Sequence, residues 1–373
     1  MTGKLQRWVT RDLRAAAPPW VLARVLVIGT LALTRFAVDH LEGAVRPVQL
    51  GQGLFAWDAA FYRDIAEHGY AAVGRPSLRF FPLVPLLARG LGALLLDHDA
   101  AALVIVANGS ALVFGALLYR LALRETGDEG LAQRAAWYGA ILPPAVALVL
   151  GYAEATFMLL SVAVFLLVRS RRFAWAIPVA ILAGLTRPLG VLLAIPIAIE
   201  AVRTWRDAST ADRVARGGTV LSPLVGAGLY LVWADREYGD LWLPVRVQNS
   251  NRLRGGFVDP FTRVWDGVGD LLGGDRFGSG LHVLWIAVFL ALLVVVFLRL
   301  PASYGAYAGA ALLVSMSARN LDSFERYAMS AFPLILGVAI VTRNREVDRA
   351  VLVLSAAGLV GYSVLAFLGV WVP

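Results

Sequence analysis

The chain has no cysteine and only one lysine, Lys4. The first absence removes disulfides, thiolate nucleophiles and cysteine-ligated metals from consideration, and leaves the redox compartment unreadable. Histidine is scarce as well. His40, His68, His98 and His282 are scattered without the spacing of metal ligands, and Asp58 with Asp64 is too thin a carboxylate set to demand a divalent ion. No metal or other cofactor is therefore expected. There is no Walker loop, dinucleotide fingerprint or nucleotide-sugar signal, so nothing points to a soluble nucleotide as substrate. Charge is thin throughout, at 16% of 373 residues.

What is present is apolar surface. Hydrophobic residues make up 59% of the chain and the mean hydropathy is +0.69, more than a water-soluble domain of this size hides in one core. Runs long enough to cross a hydrocarbon layer of about 30 Å, roughly 17 to 25 residues each, recur from Pro19 to Trp371. The formal charge of +8 is carried by arginines in short loops beside these runs. That is the positive-inside pattern of a membrane protein, not a nucleic-acid footprint. The first run, Trp20 to Val38, follows a basic segment with no small-residue cleavage site after it, which predicts an uncleaved first span.

The fold expected is an all-α polytopic membrane protein, a single integral membrane domain over 1–373. Spans fall near 20–38, 100–122, 135–150, 154–168, 173–185, 188–203, 217–234, 280–298, 301–317, 327–342 and 350–371, about eleven in all. With the N-terminus in the cytoplasm, the arginine-rich loops after residues 119, 168, 202, 298 and 342 all fall inside. This parity holds only if 80–96, with two prolines and Arg89, lies at the surface as a juxtamembrane or re-entrant helix. Residues 39–99 then form one long external loop, and 235–279 a second. The stretch 173–203 passes the same test as two short helices meeting at Thr186-Arg187-Pro188.

Charges on the outer side, away from the cytoplasmic arginine belt, are functional suspects because lipid makes them costly. They are Asp58, Asp64, Glu67, His68, Arg79, Glu154, Arg187, Arg319, Asp322, Glu325 and Arg326. In Trp57–Tyr70 the apolar spacing predicts an amphipathic interfacial helix ended by Gly69. Asp58 then sits in its first turn, where helix amides favour a carboxylate, and spacing alone also fits a plain helix cap. Arg63, Asp64 and Glu67 read as the solvated face.

The run WDAAFYRDIAEHGY, followed by RFFPLVPLL, resembles the first-loop signature of the PIG-V type mannosyltransferases, relatives of the enzyme that adds the second mannose to GPI anchors. LPPAVALVLGYAEATFMLLSVAVFLL, LAGLTRPLGVLLAIP and ERYAMSAFPL follow in the order and at about the spacing of that family. The resemblance implies a GT-C glycosyltransferase whose first external loop carries an acidic catalytic residue, here Asp58, and whose donor is a polyprenyl-phosphate sugar. Ala59 and Ala60 stand where the family usually has a Gly or Ser after WD, and Val84 replaces an aromatic.

Transfer of mannose from a lipid phosphate needs a base for the acceptor hydroxyl and a cation for the departing phosphate. Asp58 is the candidate base, and a single displacement inverts the anomeric carbon, which needs one carboxylate instead of a glycosidase pair. Arg187 and Arg326 are the candidate phosphate ligands, since a guanidinium meets phosphate in a bidentate way. Each has a bland alternative: Arg187 paired with Glu154, Arg326 snorkelling to the interface with Tyr327 as a belt aromatic. Trp57, Tyr62, Arg79, Tyr152 and Glu154 are the remaining candidate substrate contacts. The second loop, with Trp242, Gln248, Asn249, Asn251, Arg252 and Trp265, has a mixture common to sugar-binding surfaces and ordinary wet loops, and no site residue is assigned there. The expected partners are the lipid-linked donor, a glycolipid, lipoglycan or protein acceptor, and the bilayer of the plasma membrane, with chemistry on the extracytoplasmic face. A transferase of another lipid-linked sugar, or a transporter or flippase with a midplane site, stays open as an alternative reading.

Overall fold

The structure, a computed structural model, describes residues 2–40, 45–206, 208–251, 253–273 and 280–372, with 2–9 as backbone only. Arg252 and the end of the second loop, 274–279, lie outside the described residues. The helices run α1 (Thr2–His40), α2 (Val48–Gln52), α3 (Asp58–His68), α4 (Tyr70–Val73), α5 (Leu83–Leu94) and α6 (Asp99–Thr126). Next come α7 (Glu129–Ile141), α8 (Glu154–Arg169), α9 (Phe173–Gly184), α10 (Ala194–Arg203), α11 (Thr210–Tyr238) and α12 (Leu243–Gln248). The last are α13 (Pro260–Leu272), α14 (Leu281–Arg299), α15 (Ala302–Met316), α16 (Phe324–Ser330), α17 (Pro333–Val341) and α18 (Arg345–Phe367). Among the described residues the only β pairing is an isolated bridge between Phe257 and Ala318. The protein is all-α.

Among the described residues five helices are long and apolar enough to cross a membrane: α1 from Thr10, α6, α11, α14 and α18, with a sixth if α16 and α17, bent where they meet, act as one. Length and composition do not confirm the expected count of about eleven. At about 1.5 Å per residue the 16 residues of α8 and 15 of α15 rise only about 22 to 24 Å, short of a layer of about 30 Å. Prolines cut the others. Pro143 and Pro144 end α7 in a 3-10 segment, and Pro188 opens another between α9 and α10. As expected, 173–203 is two helices broken at Arg187, and 80–96 holds only the 12-residue α5.

The chain divides into two compact units, Met1–Glu67, Leu87–Leu159 and Ile335–Pro373 in the first, His68–Leu86 and Leu160–Leu334 in the second. In the first, α1 packs on α6, α7 and α18. Arg24, near the middle of α1, is buried. Its guanidinium donates to the Leu148 carbonyl at 2.7 Å and Asn108 Oδ1 at 2.8 Å, and it stacks on Trp20. Asn108 in turn donates to the Val149 carbonyl at 3.0 Å. The pair satisfies carbonyls that the 3-10 segment Pro143–Leu148 leaves open, which in lipid no water would serve. Arg24→Ala is expected to destabilise the protein by about 3 kcal/mol, because Asn108 and the Leu148 carbonyl lose charged partners. Thermal unfolding in detergent checks this, and an unchanged midpoint would show the contact to be idle.

In the second unit α9 and α11 cross at their small residues. A methyl on Gly184 would run into the Pro223 carbonyl, and one on Gly226 into the Ile181 carbonyl, so only glycine lets the backbones meet this closely. Gly226→Leu is expected to force the helices apart and lower the yield of folded protein, read by size-exclusion profile. An unaltered monodisperse peak would refute it. Below this crossing the buried Glu200 accepts from Arg169 Nη1 at 3.2 Å, Arg203 Nη2 at 2.8 Å and Ser303 Oγ at 2.7 Å, joining α8, α10 and α15. The many donors on one carboxylate make it a structural node.

Candidate active site

The first unit places Asp58 as the first residue of α3 and in its first turn, as the spacing predicts, and Gly69 follows the helix with φ 80°. Asp58 is half-buried. Just before it the chain reverses through Trp57, which takes φ 59°, a conformation a bulky side chain rarely adopts and which clusters at functional sites. The Trp57 indole holds this turn by donating to the Ala366 carbonyl at 2.9 Å, near the end of α18. Across from it, the Gly151 amide donates to the Leu54 carbonyl at 3.1 Å. Tyr152 joins Ala59, Val149, Leu150 and Phe367 in one buried cluster against which Trp57 packs. The structure thus brings Trp57, the start of α3 and Tyr152 together. Tyr62 is buried on the inner face of α3, and Glu154 is buried in the first turn of α8. Arg63 pairs with Asp64 at 2.7 Å and approaches Glu67 at 4.0 Å, so these three form the polar face expected of them.

The second unit assembles cations. Arg187 lies in the break between α9 and the following 3-10 turn, in extended backbone with φ −159°, and is buried. Its Nη1 donates to Ser330 Oγ at 3.1 Å, and its guanidinium carbon is 5.0 Å from the ring centre of Tyr327. Arg326, buried on α16, lies 5.0 Å from the same ring centre. A third guanidinium, that of Arg254 in the second loop, lies 4.6 Å from it. One aromatic ring therefore gathers three arginines, each cation–π contact being worth about 0.5 to 2 kcal/mol. Arg254 is held by a bond from Nη2 to the Ser315 carbonyl at 2.9 Å, and its Nε is buried with no hydrogen-bond partner among the described residues. Burial, reinforced by the positive fields of Arg326 and Arg187, holds the Arg254 guanidinium below its usual range, while Tyr327 acts in the opposite sense.

The loop around Arg254 owes its position to backbone pairing. The Asn320 amide donates to the Arg254 carbonyl at 3.1 Å and the Val258 amide to the Ser317 carbonyl at 3.0 Å, with Phe257 bridging Ala318. Gly255, at φ 74°, lets Arg319 pack where a side chain would collide. Nothing in the local sequence marks Arg254 apart from its two following glycines. Tyr327, for which the sequence offers an interface-belt reading, is the ring on which the arginines converge.

Arg79 ends a 3-10 turn, Arg75–Arg79, with its guanidinium 4.5 Å from the Phe80 ring. The backbone there is held by aromatic hydroxyls: Tyr70 donates to the Phe80 carbonyl and Tyr230 to the Leu78 carbonyl, both at 2.7 Å. His282, at the start of α14, is buried with its Nδ1 2.6 Å from Glu325 Oε1 and its Nε2 3.9 Å from Asp322. This pair fastens α14 to α16, the helix that carries Arg326 and Tyr327. Among the described residues no three histidines or carboxylates gather in a metal-binding geometry.

No protein-family model matches the chain, and comparison with curated proteins gives no match. Among solved structures it is similar to ArnT from Cupriavidus metallidurans bound to undecaprenyl phosphate. That likeness has 16% identity and a TM-score of 0.49, over 95% of this chain and 76% of that one. It is also similar to the oligosaccharyltransferase AglB from Archaeoglobus fulgidus in complex with an inhibitory peptide and a dolichol-phosphate, with 13% identity and a TM-score of 0.48 over 95% of this chain and 55% of that one. A further structure of the Archaeoglobus fulgidus oligosaccharyltransferase, with Zn and sulfate, has 14% identity and a TM-score of 0.46, covering 94% and 52%. The chain spans about half the length of the archaeal enzyme.

Proposed function

We propose that the protein is a GT-C type membrane glycosyltransferase that moves mannose from a polyprenyl-phosphate donor to a hydroxyl acceptor on the extracytoplasmic face of the plasma membrane. The observation that carries this reading is the convergence of Arg187, Arg254 and Arg326 on Tyr327. Phosphate is the anion that guanidiniums match best, since their planar fork of donors meets its oxygens in a bidentate way, and three of them on one ring offer several such donors together. A chain this apolar meets phosphate most readily on a lipid. On this reading Arg187, Arg254 and Arg326 are the donor-phosphate ligands, and Asp58 is the proton acceptor.

In the reaction the acceptor oxygen attacks the anomeric carbon and its proton passes to Asp58. The bond from that carbon to the phosphate oxygen breaks, and the electron pair leaves with the polyprenyl phosphate, whose growing charge the arginines take up. The anomeric configuration inverts. Trp57 and Tyr152 wall the entry to α3, Tyr62 packs beneath it, and Glu154 and Arg79 are offered to sugar hydroxyls. The resemblance of WDAAFYRDIAEHGY and its companion motifs to the PIG-V type enzymes is what selects mannose.

The purified protein in nanodiscs, supplied with labelled polyprenyl-phosphate mannose and membrane extract, is expected to release polyprenyl phosphate and place label on a glycolipid, lipoglycan or protein. Labelled glucose and pentose carriers, offered in parallel, test the choice of sugar. Preference for one of them would reassign the donor, and the absence of transfer from every carrier would refute the enzyme reading. A transporter is disfavoured because the buried cations gather on one aromatic ring in place of a pair of matched half-sites.

A further inference from the structure

The helix α13 turns an apolar stripe outward. Phe261, Trp265 and Leu272 stand four and eleven residues apart, which puts them on one face, and they are 80%, 77% and 76% exposed; Phe257, just before the helix, is 82% exposed. The opposite face is the one that packs. Pro260, Arg263 and Gly267 are buried there, and Arg263 reaches back to Asp270 at 3.4 Å, so the helix keeps its one basic side chain inside. Asp259 caps the helix by accepting from the Thr262 amide at 2.8 Å, which fixes where the stripe begins. Three large apolar residues turned outward on a 13-residue helix are a costly display in water, which favours a cover for them.

The neighbours of α13 fix its depth. A methyl on Gly267 would overlap Val283, and Gly280 lies against the backbone of Leu271, so the second half of α13 is seated on the first residues of α14. Helix α14 is long and apolar enough to cross a membrane, and its outward side chains, Leu284 and Val288 among them, begin within a turn of that contact. The apolar stripe of α13 thereby adjoins the exposed apolar side chains of α14, at the level where that helix starts. Tryptophan is the side chain most at home in that layer, having an apolar body and a polar N–H.

We propose that α13 lies flat in the lipid headgroup layer where α14 enters the membrane, with Phe261, Trp265 and Leu272 inserted towards the acyl chains and Asp266 facing water. It is an interfacial anchor, separate from the arginine cluster, and its occupant is the bilayer itself. Because the chain has no cysteine, a single nitroxide can be placed at will. Phe261→Cys, Trp265→Cys and Asp266→Cys, each spin-labelled in nanodiscs of phosphatidylcholine and phosphatidylglycerol, are compared for collision with oxygen, which partitions into lipid, and with a water-soluble nickel chelate.

Labels at 261 and 265 are expected to favour oxygen over nickel several-fold, and the label at 266 to show the reverse. Adding Trp265→Glu to the Phe261→Cys chain should shift the 261 label towards nickel. Nickel dominating at 261 and 265 would overturn the proposal. So would dipolar broadening between labels that vanishes on dilution with unlabelled protein, since that would make a second copy of the chain the occupant.

Discussion

Asparagine in place of Asp58 is expected to abolish sugar transfer in a protein that remains folded. The change keeps the size and hydrogen-bonding shape of the side chain but removes the proton acceptor, and loss of a general base lowers turnover on the order of a hundred- to ten-thousand-fold. Asp58 stands in the first turn of α3, where asparagine serves as well, and the cost to stability is about 1 kcal/mol or less. What holds this corner is its surroundings: the Trp57 indole on the Ala366 carbonyl, the Gly151 amide on Leu54, and the buried cluster around Tyr152. Transfer of labelled mannose by Asp58→Asn, with melting temperature as a control for folding, measures the two effects separately. Turnover near that of the unaltered protein would remove Asp58 from the mechanism and leave it as a cap.

Lysine in place of Arg187 or Arg254 keeps the charge and loses the fork. If the two guanidiniums grip a phosphate, each substitution is expected to lower kcat/KM roughly tenfold to a hundredfold, the worth of about 1.5 to 3 kcal/mol for a hydrogen bond to a charged group. A purely structural Arg187 would behave differently. Its bond to Ser330 Oγ is one that a lysine can also make, so near-normal kinetics in Arg187→Lys would assign it to packing. Arg254 is the sharper probe, because its loop is pinned by backbone bonds from Asn320 and Val258, which hold the chain in place when the side chain is changed. The measurement is a full saturation curve in donor for each variant.

Much of this was legible in the sequence, and the physical reason is periodicity. The run after Trp57 carries helical spacing, a carboxylate at its head and a glycine at its end, and α3 follows it from Asp58 to His68. Thr186-Arg187-Pro188 reads as a break because proline cannot continue a helix, and α9 stops at Gly184. The length of each apolar helix was less legible. Hydropathy counts apolar residues without knowing whether prolines such as Pro143 and Pro188 shorten the helix below the width of the membrane. Arg254 was hidden for another reason. It joins Arg187 and Arg326 through pairing of residues 254–258 with 317–320, contacts far apart in sequence that leave no local pattern. The outward stripe of α13 was visible only as scattered aromatics in a loop, since its meaning depends on which face the fold covers.

The central claim is that guanidiniums around Tyr327 hold a lipid-borne phosphate. Native mass spectrometry of the protein released from nanodiscs, after exposure to equal amounts of polyprenyl phosphate and of the polyprenol that lacks the phosphate, tests it most directly. The unaltered protein should retain the phosphate and not the alcohol, and the chain carrying Arg187→Ala and Arg254→Ala together should retain neither. Equal retention of both lipids, or phosphate retention that survives the double substitution, would contradict the account.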